Sequence, residues 1–306
     1  MTPPPLAVVV NPRAGNGRAE CEWPRLRGEL HAWGVHYRTV ESGSPAEALA
    51  AVRALPPGWA VATVGGDGTV ASVLPAVIEQ RRPLLVLPFG TGNDFASTLG
   101  LRAGQFREAL AGLGGPPQPV DALRVSYGGG PQPAGQAYSL NGAGMGFDAQ
   151  LTANLPLAPA WTQGAARYLW AALRTLRAMQ PQPCRVWLDG EELYGGPIML
   201  CSVMNARTLG GGFRFNPDAN LTDGRLNVVV AGDVSRRQVP PLMAQVRVGK
   251  HTGHPAVRYA AGQVAELRWE RPMQLHVDGD LRGEHMWLRA EVLPGAVALL
   301  GYVSLS

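Results

Sequence analysis

Three times within its first hundred residues the chain runs from an apolar, strand-like stretch through a glycine-rich loop into a helix-like stretch. Leu6-Ala7-Val8-Val9-Val10 leads into Asn11-Pro12-Arg13-Ala14-Gly15-Asn16-Gly17-Arg18. Trp59 to Thr63 leads into Val64-Gly65-Gly66-Asp67-Gly68-Thr69-Val70, and Leu84 to Pro88 into Phe89-Gly90-Thr91-Gly92-Asn93-Asp94-Phe95. Glycines let a backbone approach a phosphate closely, and a helix start turns N–H groups toward it. In an open parallel sheet such loops gather at the carboxyl ends of the strands, where ligands bind. An aspartate inside one of them repels phosphate unless it works through a divalent cation or a polarised hydroxyl. Asp67 therefore points to phosphoryl transfer from a nucleotide, with a plain turn capped by Asp as the alternative.

Positive charge comes almost wholly from arginine, since Lys250 is the only lysine. No GxxxxGK[ST] motif is present, which excludes a Walker-type loop. Phosphates must then be neutralised by backbone N–H groups, arginine and a metal ion. The net charge of +4 suits an anionic nucleotide or membrane surface and is too small to indicate nucleic acid. Cys21, Cys184 and Cys201 are widely spaced and read as reduced thiols. His251 and His254 form HxxH on a Gly/Pro-flanked segment, a poor zinc pattern. With no signal-like start and no run of 18 apolar residues, the expectation is a cytoplasmic protein that meets any bilayer from outside.

Residues 6 to about 124 alternate strands with helices at Ala19–Trp33, Pro45–Leu55, Ala71–Gln80 and Phe106–Leu113, the pattern of a parallel α/β layer. From 125 to 296 the chain is strand-rich, which predicts an antiparallel β-sandwich. Its candidate strands are 137–141, 184–188, 196–205, 224–231, 265–269, 273–277 and 287–292, with Gly128–Gly135 a hairpin or loop tip. One long helix, Trp161 to Met179, carries apolar residues at helical spacing. It either packs on the sandwich or faces a membrane or lipid. A weaker helix is expected over Ser235–Val248.

GGDGTV, PFGTGNDFA and NPRAGNGRA, with LNGAGMGFDA and NPDANLTDGRLNVVV further on, resemble the diacylglycerol kinase catalytic superfamily, in its bacterial soluble lipid kinase branch. The resemblance runs from about Leu6 to Tyr302. It implies a Rossmann-like α/β nucleotide-binding domain over 1–124, which residues 297–306 can rejoin. It also implies a C-terminal β-sandwich domain for the lipid acceptor over 125–296, with the active site in the cleft between.

The implied activity is ATP-dependent transfer of the γ-phosphoryl group to a hydroxyl of a membrane lipid, by default diacylglycerol to phosphatidic acid, with Mg2+. This would be a cytoplasmic enzyme of phospholipid metabolism in transient, peripheral contact with the membrane. Monomer and homodimer both remain open. An NAD kinase-like enzyme, or a catalytically weak paralogue that only binds lipid or nucleotide, is the alternative.

The resemblance also assigns residues. Asn11, Pro12, Arg13, Ala14 and Gly15 match the ATP-contacting loop. Thr39 matches a threonine at the end of the second strand, where a plain strand-end residue serves as well. Gly65, Gly66, Asp67, Gly68, Thr69, Val70 and Ala71 match the phosphate loop, and Thr91 matches the GTGND threonine. Asp67 would hold Mg2+ on the phosphates or touch the acceptor hydroxyl directly. Asp94 is a second carboxylate that a helix N-cap explains almost as well. In Asp278-Gly279-Asp280, Asp280 stands where the family has the Glu assigned as proton acceptor, one methylene shorter; a hairpin turn is the alternative. Asp223 with the backbone carbonyls of Asn220 and Arg225 matches a structural Mg2+ site, or another Asp-Gly turn. One departure stands out: Ala71-Ser72 replaces the Asn-Glu pair that many members carry after GGDGT.

Overall fold

The computed structural model describes residues 3–162 and 164–301. The chain divides into two compact units, Met1–Ala122 with Asn220–Gly224 and Leu293–Ser306, and Leu123–Ala219 with Arg225–Val292.

The first unit is an α/β layer. Its elements alternate as β1 (Leu6–Val10), α1 (Arg18–Ala32), β2 (Tyr37–Glu41), α2 (Pro45–Arg53), β3 (Ala60–Gly65), α3 (Asp67–Glu79) and β4 (Leu84–Pro88). Two short helices follow, α4 (Asp94–Thr98) and α5 (Phe106–Ala111). The strands are parallel in the order β4-β3-β1-β2. β1, β3 and β4 are buried along their whole length. That is why they read as unbroken apolar runs rather than alternating ones. α2 starts where the sequence marks it: Ser44 Oγ accepts from the Glu47 N–H at 3.3 Å, Pro45 follows, and Glu47 accepts from the Gly43 N–H.

Two distant segments complete this unit. Leu299 pairs in parallel with Leu84 beside β4. Asn220–Gly224 lies in mid-sequence, within the stretch expected to form the sandwich, yet it clusters here. Asp121 is the reason. Its N–H donates to the Leu221 carbonyl at 2.7 Å, and its carboxylate accepts from the N–H of Gly224 at 2.7 Å and of Gly295 at 2.8 Å. Burial pushes the Asp121 carboxyl up, against those two bonds.

The second unit is the β-sandwich. β5 (Gln118–Gly128) enters it after Ala122 and forms the expected hairpin with β6 (Gly135–Ser139). Then come β7 (Gly142–Gly146), α6 (Phe147–Asn154), a 3-10 turn at Leu155–Leu157 and α7 (Gly164–Ala178). The rest is β8 (Gln182–Leu188), β9 (Glu191–Ile198), β10 (Leu200–Met204), β11 (Leu226–Ala231), α8 (Val239–Val248), β12 (Val257–Gly262), β13 (Val264–Val277) and β14 (Asp280–Leu299). β13 is one strand where two were expected. Its first part pairs with β8, its last part with β7, and β14 runs along both. A register shift between Arg268 and Met273 marks the change from one partner to the other. Inward residues from both parts, among them Val186, Val203, Val228, Leu267, Leu275 and Leu288, share one core.

α7 packs through Ala171, Ala172, Thr175 and Leu176, all buried. Of the longer helix expected there, Gln163 lies outside the described residues, as do 302–306 at the end of the chain. α8 starts at Val239 rather than Ser235, because Pro240 and Pro241 fit only the first helical turn. No helix among the described residues is long and apolar enough to cross a membrane.

Candidate active site

In the first unit the three glycine loops touch one another. Asn11 Nδ2 donates to Thr69 Oγ1 at 3.4 Å, tying the first loop to the second. The N–H groups of Phe89 and Gly90 donate to the Gly65 carbonyl at 2.8 and 3.0 Å, tying the third to the second. Gly15 has φ +62° and lies so close to Phe89 that a Cβ would collide with its carbonyl oxygen. A Cβ on Gly90 would collide with the Cα of Gly66. These glycines therefore serve loop-on-loop packing first, whereas Gly68 faces open space. Asn93, at φ +51°, fixes the third loop by donating from Nδ2 to the Gly90 carbonyl at 2.6 Å.

Asp67 is the first residue of α3, four residues before the expected helix start. Its carboxylate accepts from the N–H of Asp94 at 2.9 Å and of Phe95 at 3.0 Å. It thus caps α4 from another loop, the task assigned on sequence to Asp94 itself. Asp94 is instead the first residue inside α4, after Asn93. These bonds fix the Asp67 carboxylate between the second and third loops. Thr91 and Arg13 are exposed, and Thr39 is an exposed residue in the middle of β2, not at its end. Ser72, in place of a family Glu, bonds locally, its Oγ donating to the Thr69 carbonyl at 2.7 Å.

In the second unit Asp278 and Gly279 form a two-residue hairpin turn with φ +51° and +84°, joining β13 to β14. Asp278 is a latch. Its carboxylate accepts from Ser139 Oγ at 2.5 Å and from the N–H groups of Leu140, Asn141 and Gly142 at 2.9–3.1 Å. Asp280 follows that turn. It is exposed at the start of β14, with Arg282 Nη2 at 3.9 Å.

Asp148, in the quoted LNGAGMGFDA, and His276, two residues before the Asp278 turn, acquire a role that sequence did not assign. His276 Nε2 lies 3.1 Å from Asp148 Oδ2, which also accepts from Ser202 Oγ at 2.6 Å. Burial acts to raise the Asp148 carboxyl, but the charge and hydrogen bond of His276, with bonds from Ser202 and Ala149, outweigh it and hold it low. A Cβ on Gly144 would collide with both Asp148 and His276, so this glycine of β7 makes room for the pair. Both residues line a cavity whose walls are otherwise largely apolar, among them Phe147, Leu151, Met199, Leu242 and Val246, with Gly279 at one side.

A family model for the diacylglycerol kinase catalytic domain matches residues 5–125, and one for the YegS C-terminal NAD kinase beta sandwich-like domain matches residues 142–301. The chain belongs to the diacylglycerol kinase superfamily of lipid kinases. A diacylglycerol kinase of Bacillus subtilis is 28% identical over 226 residues, 73% of this chain and 71% of that one. A probable lipid kinase YegS-like protein of Chromohalobacter salexigens is 30% identical over 243 residues, 77% of this chain and 73% of that one. The fold is that of a putative diacylglycerol kinase from Bacillus anthracis, with TM-score 0.76 at 20% identity over the full length of both chains.

For the Mg2+ that this lipid kinase family implies, the structure offers oxygen donors but no ready cage. No cluster of three or more His, Cys, Asp or Glu side chains among the described residues could hold a metal. Asp223 is exposed, and its charge helps to raise the Asp121 carboxyl. Two neighbouring carboxylates of this kind suit a hard cation. Asn220 Oδ1 accepts from the Thr222 N–H and Oγ, and the Arg225 guanidinium donates to the Ala261 carbonyl. The donors that the resemblance implies at both positions are the backbone carbonyls, not these side chains. Asp223→Asn is therefore expected to lower Tm. In the wild type, Mg2+ at a hundred times its dissociation constant should add about 2.7 kcal/mol, and the variant should need far more. Identical melting curves with and without Mg2+ would reduce this segment to a turn.

The Asp278 latch makes a prediction of its own. Burial pushes its carboxyl from 3.8 up to about 6, against four hydrogen bonds that favour the anion. Between those pH values the folded protein holds a proton that the unfolded chain has lost. Its contribution to stability therefore falls as pH rises through this window, by at most about 3 kcal/mol. The stability of wild type relative to Asp278→Asn should decline from pH 4 to pH 6 and then level off. A difference that stays flat with pH, measured by chemical denaturation, would show that Asp278 titrates normally.

Proposed function

We propose that this enzyme transfers the γ-phosphoryl group of ATP to a hydroxyl of a membrane lipid, with diacylglycerol giving phosphatidic acid as the default reaction. The apolar cavity of the second unit carries this reading. It suits hydrocarbon, and Gly279 at its wall is next in the chain to Asp280, the proposed base. A dinucleotide acceptor is polar throughout and gains little from such walls, which favours a lipid over NAD.

The first unit takes the nucleotide. Its loops, from Asn11 to Gly15 and from Gly65 to Ala71 with Thr91, offer N–H groups and the start of α3 to the phosphates. Bound Mg2+ would supply neutralisation of phosphate charge, with Asp67 holding it there. Asp223 and the carbonyls of Asn220 and Arg225 would hold a structural ion. In the second unit Asp280 accepts the proton of the attacking hydroxyl. Its exposure leaves the carboxylate accessible to an acceptor hydroxyl. The Asp278 latch holds the adjoining turn in place, so the base sits on a fixed hairpin.

The test is transfer from radiolabelled ATP to a lipid panel in mixed micelles, with NAD as a soluble control. Labelled phosphatidic acid from dioleoylglycerol is expected. Label in NAD alone would make the protein a dinucleotide kinase. Nucleotide binding without any transfer would make it a non-catalytic paralogue.

A further inference from the structure

Leu169 and Leu173 lie one turn apart on the outer face of α7, 62% and 45% exposed. Just before the helix, Leu157 is 57% and Trp161 80% exposed. These are large apolar side chains standing in water, gathered in one short stretch of chain. The same helix buries Ala171, Ala172, Thr175 and Leu176 on its inner side, so the outer leucines are not needed for packing.

Charge says what the face meets. Residues 149–188 contain no aspartate or glutamate, yet include Arg167, Arg174, Arg177 and Arg185. That stretch alone carries as much formal positive charge as the whole chain, whose net charge is +4. Arg177 extends the Leu169–Leu173 line by one further turn. An apolar stripe fringed by arginine, on a stretch of chain without a carboxylate, matches an anionic interface with hydrocarbon beneath it. The same helix also borders the cavity. Tyr168, beside Leu169 in the chain, lines the cavity, as do Leu151 and Thr152 of the neighbouring α6.

We propose that the outer face of α7, with Leu157 and Trp161, docks the enzyme on an anionic lipid bilayer and brings the acceptor cavity to the membrane surface. This rests on the lipid-kinase reading and adds to it the surface and the partner. Arg167 and Arg174 are partly engaged, donating to the Leu155 carbonyl and to Asn154 Oδ1. Leu169, Leu173, Trp161 and Arg177 are therefore the residues to change.

The experiment is co-sedimentation with vesicles of phosphatidylcholine alone or of phosphatidylcholine mixed with phosphatidylserine. The wild type should bind the phosphatidylserine vesicles and release with salt. Leu169→Glu/Leu173→Glu should bind at least about tenfold more weakly, since it puts charge on the apolar stripe. Arg177→Gln should weaken binding about fivefold, the loss expected for one surface arginine. Trp161→Glu gives a second reading at the most exposed of these positions. Activity on dispersed dioctanoylglycerol should stay within about twofold of wild type in each variant, because none of these residues lines the cavity. Unchanged vesicle binding in Leu169→Glu/Leu173→Glu and Trp161→Glu would overturn the proposal. So would a wild type indifferent to phosphatidylserine, or a change from dimer to monomer in the variants with vesicle binding intact. If instead the wild type binds vesicles as expected but transfers phosphate to neither dispersed nor vesicle lipid, the docking face stands and the lipid-kinase reading falls.

Discussion

Asp67→Ala is expected to lose at least ~100-fold in phosphoryl transfer, because electrostatic stabilisation of this kind contributes roughly 3 kcal/mol. It should also lower stability. The carboxylate caps α4 through the N–H groups of Asp94 and Phe95, and Phe95 is buried. Loss of a cap costs about 1 kcal/mol. The two effects can be separated. Asp67→Asn keeps an oxygen that accepts one of the two bonds, so part of the stability returns. It removes the charge, so activity should stay low. Activity of Asp67→Asn within about threefold of wild type, well under the tenfold that ~1.4 kcal/mol represents, would leave Asp67 a capping residue only.

Asp280→Asn is the second large effect. General-base catalysis contributes roughly 100- to 10,000-fold, so turnover should fall by that much while nucleotide affinity holds. Asp280 is exposed at the start of β14, so Tm should change far less than turnover. Asp280→Glu is the finer test, because it restores the residue seen across the resembled family. If the longer side chain finds the family geometry, the variant matches or exceeds wild type; if the site has adapted to Asp, it is slower. Equal turnover in wild type and Asp280→Asn would remove Asp280 as the base. Asp278 could not replace it easily, since its carboxylate is committed to Ser139 and three backbone N–H groups.

What the sequence disclosed and what it hid follow from how far apart the interacting residues lie. β1, β3 and β4 with their loops were legible because buried parallel strands are unbroken apolar runs and each loop announces itself by local glycines. The loop glycines were seen but their first duty was not, since packing of Gly90 on Gly66 is a contact between separate loops. The Asp148–His276 pair was invisible for the same reason. Asp148 sits in one quoted motif and His276 just before another, 128 positions apart, and nothing local joins them. β7 and α6 escaped because Gly142-Ala143-Gly144-Met145-Gly146 has the composition of a loop; only the side chains packed over Gly144 explain why a strand there needs glycine. The allegiance of Asn220–Gly224 to the first unit depends on one aspartate, Asp121, about a hundred residues upstream.

That last arrangement has a consequence for synthesis. The α/β unit draws on residues near 120, near 222 and near 295, and the strand paired beside β4 includes Leu299. The part of the protein that is translated first is therefore finished last. While the ribosome is still making the sandwich, β4 has no neighbour on its outer edge and Asp121 has neither of its two glycine donors. An unpaired buried edge of this kind is a template for mispairing. A fragment ending near residue 124 would carry that defect permanently, however intact its glycine loops, and should be recovered as aggregate rather than as a nucleotide-binding domain.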